Sequence, residues 1–143
     1  MRALGIDLGS RRIGVAVSDP AGTLASPYDT VERSGDVVRD HRRLLELAAE
    51  AEVERIVVGL PLSLDGTPGP AARNVLDEVE TLRAATDLPV ETYDERFSTV
   101  TADRLLREGG RKGKARRSVV DRTAAAVLLQ AWLDRRAHQR DPG

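Results

Sequence analysis

Three short apolar runs in the first third of the chain have the alternation that is typical of β-strands. They cover residues 3–7 (ALGID), residues 13–18 (IGVAVS) and, more weakly, residues 23–31. Pro27 in the third run suits an edge strand, because proline cannot donate a ladder hydrogen bond. Turn-forming residues at positions 9–12 and 20–22 separate the runs, so the pattern predicts an antiparallel meander.

The period of the apolar positions changes after Gly35 and predicts helix, strand, helix, strand. The strand RIVVGL (residues 55–60) separates the two helices, and Pro89 precedes the fifth strand, VETYDE. The apolar face of the first helix comprises Val37, Leu44, Leu45, Ala48 and Ala51. The face of the second, which begins after Pro70, comprises Ala72, Val75, Leu76, Val79 and Leu82. A crossover helix therefore joins strands one and four.

Two more helices close the chain in this interpretation. One spans residues 98–108 and stops at Gly109-Gly110, and the other spans about residues 118–137 and is apolar around much of its circumference. The order βββαβαβαα predicts an α/β fold with a five-stranded mixed sheet, strand order 3-2-1-4-5, flanked by about four helices.

The composition is that of one ordinary globular domain. The chain has 143 residues, 41% hydrophobic and 31% charged, which predicts a single domain over residues 1–138 and a loose tail over residues 139–143. It has no cysteine, so disulfides, thiolate metal sites and cysteine nucleophiles are excluded. Asp7 interrupts the apolar run at the N-terminus, and no run is long enough to span a bilayer, so we expect a cytoplasmic protein.

The net charge is −1, so any affinity for a polyanion must come from local clusters. The segment RKGKARR, residues 111–117, has five basic residues and no acid, and it contains Lys112 and Lys114, the only two lysines. Such a run is either a solvated connector or a phosphate-binding loop. Its closeness to Asp121 in the sequence favours the second interpretation.

Asp7 stands where the fold alone would not place an acid. An ionised carboxylate at the end of an apolar strand is costly unless it is hydrogen-bonded, paired or bound to a metal. Ligand sites of open α/β sheets gather at such strand ends. The structural alternative is a turn cap, in which Asp7 accepts from the amides of residues 9–11.

Two further acidic positions have local alternatives of their own. Neighbouring side chains of a strand face opposite ways, so Asp94 and Glu95 cannot both point into one site, and one of them pairs with Arg96 in the structural interpretation. Asp121 follows Ser118 with the spacing of a capping box, so it is either a helix cap or a ligand.

Asp7, Glu95 and Asp121 together define a candidate metal centre. Carboxylates packed within a few ångströms cannot all stay ionised without a cation. Oxygen ligands without His or Cys suit Mg²⁺ or Mn²⁺ rather than zinc. Two such ions would activate a water and neutralise the leaving oxygen of a phosphodiester, which predicts a metal-dependent nuclease.

Four segments of the chain resemble the RuvX family, also called YqgF. They are GIDLGSRRIGVAVSD (residues 5–19), IVVGLPLSLDGTPGPAA (56–72), YDERFSTVTA (93–102) and VDRTAAAVLLQAWLD (120–134). The resemblance covers nearly the whole chain. It implies a ribonuclease H-like fold related to Holliday-junction resolvases, a cytoplasmic location, and processing of the 5′ end of precursor 16S ribosomal RNA, with ribosomal particles as partners.

The resemblance also implies roles for single residues. Asp7 matches the first-strand metal ligand, Asp121 the acid of the last helix, and Glu95 rather than Asp94 the acid of the fifth strand. The family's basic segment near the nucleic acid corresponds to the region of Lys112, Lys114 and Arg116; the charge of Arg11, Arg12 and Arg96 makes them further candidate phosphate contacts. The chain departs from the family pattern at Ser63, usually Asn, and at Phe97-Ser98, usually Leu-Thr.

Other functions fit parts of the same sequence. A Holliday-junction resolvase would use the same acids on branched DNA and would favour a homodimer over a monomer. A non-catalytic nucleic-acid-binding module would need none of them, and an actin-like ATP-binding protein would use the DLGS segment but needs two domains. His41 is predicted on the polar edge of the first helix, so a histidine base is not expected, and Trp132 is predicted in the core.

Overall fold

The structure is a computed structural model that describes residues 1–98 and 114–140, including the side chains of residues 122–139 in the second segment. Its strands are β1 (Ala3–Leu8), β2 (Arg12–Ser18), β3 (Ala25–Glu32), β4 (Arg55–Leu60) and β5 (Val90–Asp94). Its helices are α1 (Val37–Glu50), α2 (Pro70–Ala84) and α3 (Lys114–Arg140), and a 3₁₀ turn (Glu95–Phe97) follows β5.

The predicted sheet is confirmed. The five strands lie in the order β3-β2-β1-β4-β5. The first three pair antiparallel, whereas β1 with β4 and β4 with β5 pair parallel. The carboxyl ends of β1, β4 and β5 therefore meet at one edge of the sheet.

Each face of the sheet is covered by its own helical layer. The even-numbered positions of β1 and β4, such as Leu4 and Val58, pack with α1 and α2 in the main core. The odd-numbered positions, such as Ala3 and Val57, face α3. Three of these positions are Ala or Gly (Ala3, Gly5 and Gly59), and a Cβ at Gly5 would lie 2.8 Å from Leu129 Cβ of α3. Close approach of α3 to the sheet therefore depends on small residues.

Several predicted boundaries move. β3 begins at Ala25 rather than residue 23, because Asp19 Oδ1 accepts the amides of Thr23 and Leu24 and holds them in a turn. β5 ends at Asp94, one residue earlier than predicted. Ser98 is extended rather than the start of a helix, and residues 99–108 of that predicted helix lie outside the described residues.

The last helix is longer than predicted. α3 begins at Lys114 instead of Ser118 and continues to Arg140, so the first two residues of the predicted tail are helical. Of the two alternatives for Asp121, the helix cap is wrong, because Ser118 and Asp121 both lie inside the helix. Residues 114–117 are Lys, Ala and Arg, which have high helix propensity, so the basic segment is helical from Lys114 onward.

The predicted location of His41, on the polar edge of the first helix, is also wrong. Its side chain is only 2% exposed, and its Nε2 lies 2.7 Å from Glu78 Oε2 of α2. Glu78 also accepts hydrogen bonds from both terminal nitrogens of Arg33, from Nη1 to Oε2 at 2.7 Å and from Nη2 to Oε1 at 2.9 Å. A buried polar group needs such partners, and here they come from outside the helix. Trp132, in contrast, is in the core as predicted: it lies in α3 and is buried between that helix and the sheet.

None of the helices that the structure describes is long and apolar enough to cross a membrane.

Candidate active site

Asp7 lies near the carboxyl end of β1, on the face that α3 covers, and is only 4% exposed. Gly14 of β2 stands directly opposite it. On the other side, Ile6 pairs with Val58 of β4, so the next position places Gly59 beside Asp7. Asp7 therefore has a glycine beside it on each neighbouring strand.

Glu95 reaches the same place from β5. It is 9% exposed and belongs to the 3₁₀ turn directly after the strand. Its Oε1 lies 2.8 Å from the position that a Cβ of Gly59 would take, and its Cγ lies 3.2 Å from that position. The Glu95 side chain thus occupies the space over Gly59, one strand spacing, about 4.8 Å, from the strand that carries Asp7.

Asp94 turns away from this place. Its Oδ1 accepts the backbone amide of Arg96 at 2.9 Å, and its Oδ2 accepts Arg96 Nη2 at 2.7 Å. The hydrogen bond from the Arg96 side chain is the main reason that the pKa of Asp94 is lowered. The structure therefore separates the two neighbouring acids: Asp94 is an ion-pair partner, and Glu95 shares a face with Asp7.

Arg96 also holds the loop that follows β4. Its Nη1 donates to the carbonyl of Leu64 at 3.2 Å, and its guanidinium packs against Gly66. Three of its nitrogens are thus used within the protein. Its predicted contact with nucleic acid stays a prediction, and the structure adds a structural role that the sequence did not indicate.

The turn after β1 is closed by its own backbone. The Gly9 amide donates to the Arg12 carbonyl at 3.0 Å, and a Cβ at Gly9 would collide with that same oxygen. Arg33 clamps the turn from outside: its Nε donates to the Gly9 carbonyl at 3.0 Å and its amide to the Arg11 carbonyl at 2.9 Å. Sequence reasoning missed Arg33, because no local pattern links it to this turn.

The other predicted site residues are placed only in part. Arg11 is exposed and Arg12 half-buried at this edge of the sheet. Asp121, Lys114 and Arg116 lie on the described backbone of α3, but their side chains, like all of Lys112, lie outside the described residues. Among the side chains that are described, no three His, Cys, Asp or Glu form a metal-binding group. The structure thus brings together two of the three predicted acids.

A cavity of about 450 Å³ lies on the opposite face of the sheet. Its lining includes Leu8, Arg33 and Glu78, but neither Asp7 nor Glu95. Because side chains alternate along a strand, Leu8 points away from the face of Asp7. We therefore place the candidate active site at the two acids and not in this cavity.

The sheet order, the two helical layers and the acids at the strand ends define a protein of the ribonuclease H-like class. The fold matches RuvC of Thermus thermophilus in complex with a Holliday junction substrate, with a TM-score of 0.60, 20% identity and 96% of each chain covered. A second RuvC structure from the same organism gives a TM-score of 0.56 at 19% identity, again over 96% of each chain.

Within this class the chain belongs to the RuvX family, described as Holliday junction resolvase, whose pattern matches residues 1–135. Relatives named "Putative pre-16S rRNA nuclease" include one from Mycobacterium sp. (strain KMS), 48% identical, covering 99% of this chain and 85% of the relative. Another, from Anaeromyxobacter dehalogenans (strain 2CP-C), is 48% identical over 96% of this chain and 99% of the relative. The chain is thus a nuclease, a hydrolase of ester bonds.

Proposed function

We propose that Asp7, Glu95 and Asp121 form the catalytic centre of a divalent-metal-dependent nuclease that processes the 5′ end of precursor 16S ribosomal RNA in the cytoplasm. One observation carries the proposal: the buried side chain of Glu95 lies over Gly59, the residue of β4 that stands beside the buried Asp7 of β1. Two distant segments of the chain thus deliver negative oxygens to one place at the edge of the sheet.

The electrostatics of this pair favours a hard cation. Two buried carboxylates one strand apart repel each other, and a divalent ion between them relieves the repulsion. The donors are oxygens only, which fits Mg²⁺ or Mn²⁺. Glycine at position 59 leaves the space that the Glu95 side chain takes beside the strand of Asp7.

The course of α3 supports a role for Asp121 as the third acid. The carbonyl of Ala125 and the side chain of Leu129 lie over Gly5, and Leu133 lines the same cavity as Met1, just before β1. The helix therefore runs antiparallel to β1, and residue 121 precedes Ala125 by about one turn, toward the end of β1 where Asp7 lies.

The chain's own residues would hold the reacting groups in place. Asp7 and Glu95 would bind the ions from fixed backbone, one from the end of a central strand and one from a hydrogen-bonded 3₁₀ turn. Bound ions would activate a water and neutralise the leaving oxygen. The exposed Arg11 on the clamped turn, together with Lys112, Lys114 and Arg116, would contact the phosphates.

The names of the relatives favour RNA as the substrate, whereas the family description supports a second candidate function, cleavage of branched DNA. Metal-assisted hydrolysis needs only the phosphate, so the same acids would serve both substrates and either endonucleolytic or exonucleolytic cutting.

The test compares a precursor 16S RNA fragment with a four-way DNA junction, each incubated with purified protein and Mn²⁺ or Mg²⁺. We expect cleavage of the RNA, no cleavage by Asp7→Asn, and an unchanged circular dichroism spectrum of that variant. Asp77→Asn, which changes an exposed acid of α2, is the matched control and should cut normally. Full activity of Asp7→Asn would disprove the proposed centre, and cutting of the junction alone would favour the second candidate.

A further inference from the structure

A groove of about 320 Å³ runs along β5, the edge strand of the sheet, beneath the last turns of α3. Its lining includes three aromatic and three basic side chains: Tyr93, Phe97, Trp132, Arg55, Arg135 and Arg136. One end of the groove is at Phe97, in the same 3₁₀ turn as Glu95. The other end is at Arg55 and Glu91, where β4 and β5 begin. The groove therefore leads away from the candidate active site.

Phe97 is an unusual surface residue. It is 54% exposed, although this chain has only four aromatic residues. Tyr93 meets its ring edge-on at 6.0 Å, and the guanidinium of Arg135 lies 4.7 Å from the ring centre. Aromatic rings and guanidinium planes are the surfaces on which proteins stack unpaired bases.

The groove is also positively charged. Its two acids already pair with arginines: Glu91 lies 3.6 Å from Arg55, and Asp94 lies 2.7 Å from Arg96. Arg135 and Arg136 lie on the α3 side, each with its guanidinium over an aromatic ring. Cations interleaved with aromatic rings suit a polyanion that carries flat bases better than they suit an acidic peptide.

We propose that this groove binds an unpaired nucleotide segment next to the cleaved bond, with one base stacked on Phe97 in the position that the Arg135 guanidinium takes in this structure, and with the phosphates on Arg135 and Arg136. The proposal rests on the proposed function. A base inside a duplex cannot present its face to Phe97, so the groove selects single-stranded ends. Because Phe97 and Glu95 share one 3₁₀ turn, the stacked base has a fixed position relative to the catalytic acid.

The test measures binding of a short labelled single-stranded RNA by fluorescence anisotropy without divalent metal, and of the same strand annealed to its complement. Phe97→Leu, which keeps an apolar side chain, should weaken single-strand binding about 5-fold or more, since one base stack on an aromatic ring is worth at least that much. Phe97→Trp should restore it, and duplex binding should not change. Arg135→Gln should reduce the salt dependence of single-strand binding by about one phosphate contact, a slope change of about 0.7.

Matched controls lie on other surfaces of the domain. Tyr28→Leu removes an aromatic ring from β3, at the opposite edge of the sheet, and Arg73→Gln removes an exposed arginine from α2. Both variants should bind single-stranded RNA like the wild type. A 5-iodouridine in the RNA should cross-link, on irradiation, to a peptide that contains Tyr93 or Phe97.

Three results would overturn the proposal: wild-type affinity in Phe97→Leu, an equal loss of duplex binding, or competition by a polyglutamate peptide as strong as that by single-stranded RNA of the same charge. The two proposals can fail separately. Binding through Phe97 without any metal-dependent cutting would refute the proposed function alone. Cutting with unchanged binding by Phe97→Leu would refute the groove alone.

Discussion

At the scale of single residues, the candidate active site depends on Gly59, because a glycine has no side chain to compete with Glu95 for space. Gly59 lies between Asp7 and Glu95, and the Glu95 carboxylate fills the space that any larger residue would need. A Cβ there would lie 2.8 Å from both Glu95 Oε1 and Leu128 Cδ2. Glycine at this position is therefore required for the arrangement of the acids as well as for packing under α3.

We predict that Gly59→Ala lowers nuclease activity at least about tenfold, because displacement of a catalytic group by an ångström can cost about a hundredfold in rate. The expected loss of stability is only about 1–3 kcal/mol, the usual cost of adding a methyl group to a packed interior. Activity on RNA and denaturant unfolding, measured on the same preparation, test the prediction.

Gly5→Ala is the matched control. A Cβ at Gly5 meets Leu129 Cβ at 2.8 Å in the same sheet–helix interface, but it does not reach Glu95. This variant should lose similar stability and keep its activity below the unfolding transition. Equal loss of activity in the two variants would mean that packing, and not the position of Glu95, determines the effect.

At the scale of elements, a charge network joins Arg33, the residue directly after β3, to the helices α1 and α2. Arg33 donates a hydrogen bond to Glu78 of α2, and the Glu78 carboxylate is also hydrogen-bonded to His41 Nε2 of α1. Burial alone would raise the pKa of Glu78, but hydrogen bonds from His41 and Arg33 outweigh it and lower the pKa from 4.5 to about 2. The same Arg33 holds the turn after β1, so the network connects helix packing with the edge of the site.

The lowered pKa gives this network a defined pH dependence. Glu78 titrates at about 2 in the folded chain and at 4.5 when unperturbed, so its stabilisation is complete above pH 4.5 and is lost as the pH falls toward 2. Glu78→Gln should therefore lower the free energy of unfolding near neutral pH, by at most about 3 kcal/mol, and flatten its decline in acid. Urea unfolding at a series of pH values measures both effects.

Glu80→Gln on the same helix is the control for this prediction. Glu80 is 68% exposed and pairs with Arg83 on the surface, where ion pairs contribute little. Its pH profile should follow that of the wild type. A wild-type profile in Glu78→Gln would show that the network does not stabilise the fold.

At the scale of the whole molecule, the proposed centre couples stability to metal. Asp7 and Glu95 lie 88 positions apart in the sequence, and folding places both at the same end of the sheet. A metal that binds only the folded state stabilises it by about 2.7 kcal/mol at about a hundred times its Kd. A bound metal should therefore reduce the repulsion between the carboxylates of Asp7 and Glu95 and stabilise the folded state.

We predict that Mn²⁺ raises the Tm of the wild type by several degrees and that EDTA reverses the rise. Asp7→Asn removes a proposed metal ligand, so it should lose the increment. Differential scanning fluorimetry measures these shifts. Asp77→Asn should keep the increment, and an undiminished increment in Asp7→Asn would place the metal elsewhere.

Much of the fold could be predicted because its signals are local and periodic. The alternation in residues 13–18 indicates a half-buried strand, and the spacing of Val75, Val79 and Leu82 indicates one buried face of a helix. The start of α3 was harder to predict from the sequence. Gly113 and the basic residues after it suggested a loop, whereas high helix propensity and the long packed helix beyond extend α3 back to Lys114.

The candidate site was predictable to a different degree for each residue. Asp7 stood out because a charge at the end of an apolar strand is costly without compensation. Alternation along β5 showed that Asp94 and Glu95 differ, but not which of them faces the site. The family resemblance points to Glu95, and the pairing of Asp94 with Arg96 together with the burial of Glu95 favours the same choice.

The sequence by itself determined the strand order, the helices that flank the sheet and the acids at the strand ends, because apolar periodicity and turn residues act over a few neighbouring positions. Only the tertiary structure decided what surrounds His41, Glu95 and Gly59. His41 meets Glu78 from 37 positions away, and Glu95 lies over a glycine of another strand. Such environments arise from contacts between distant segments, and no local pattern of residues contains them.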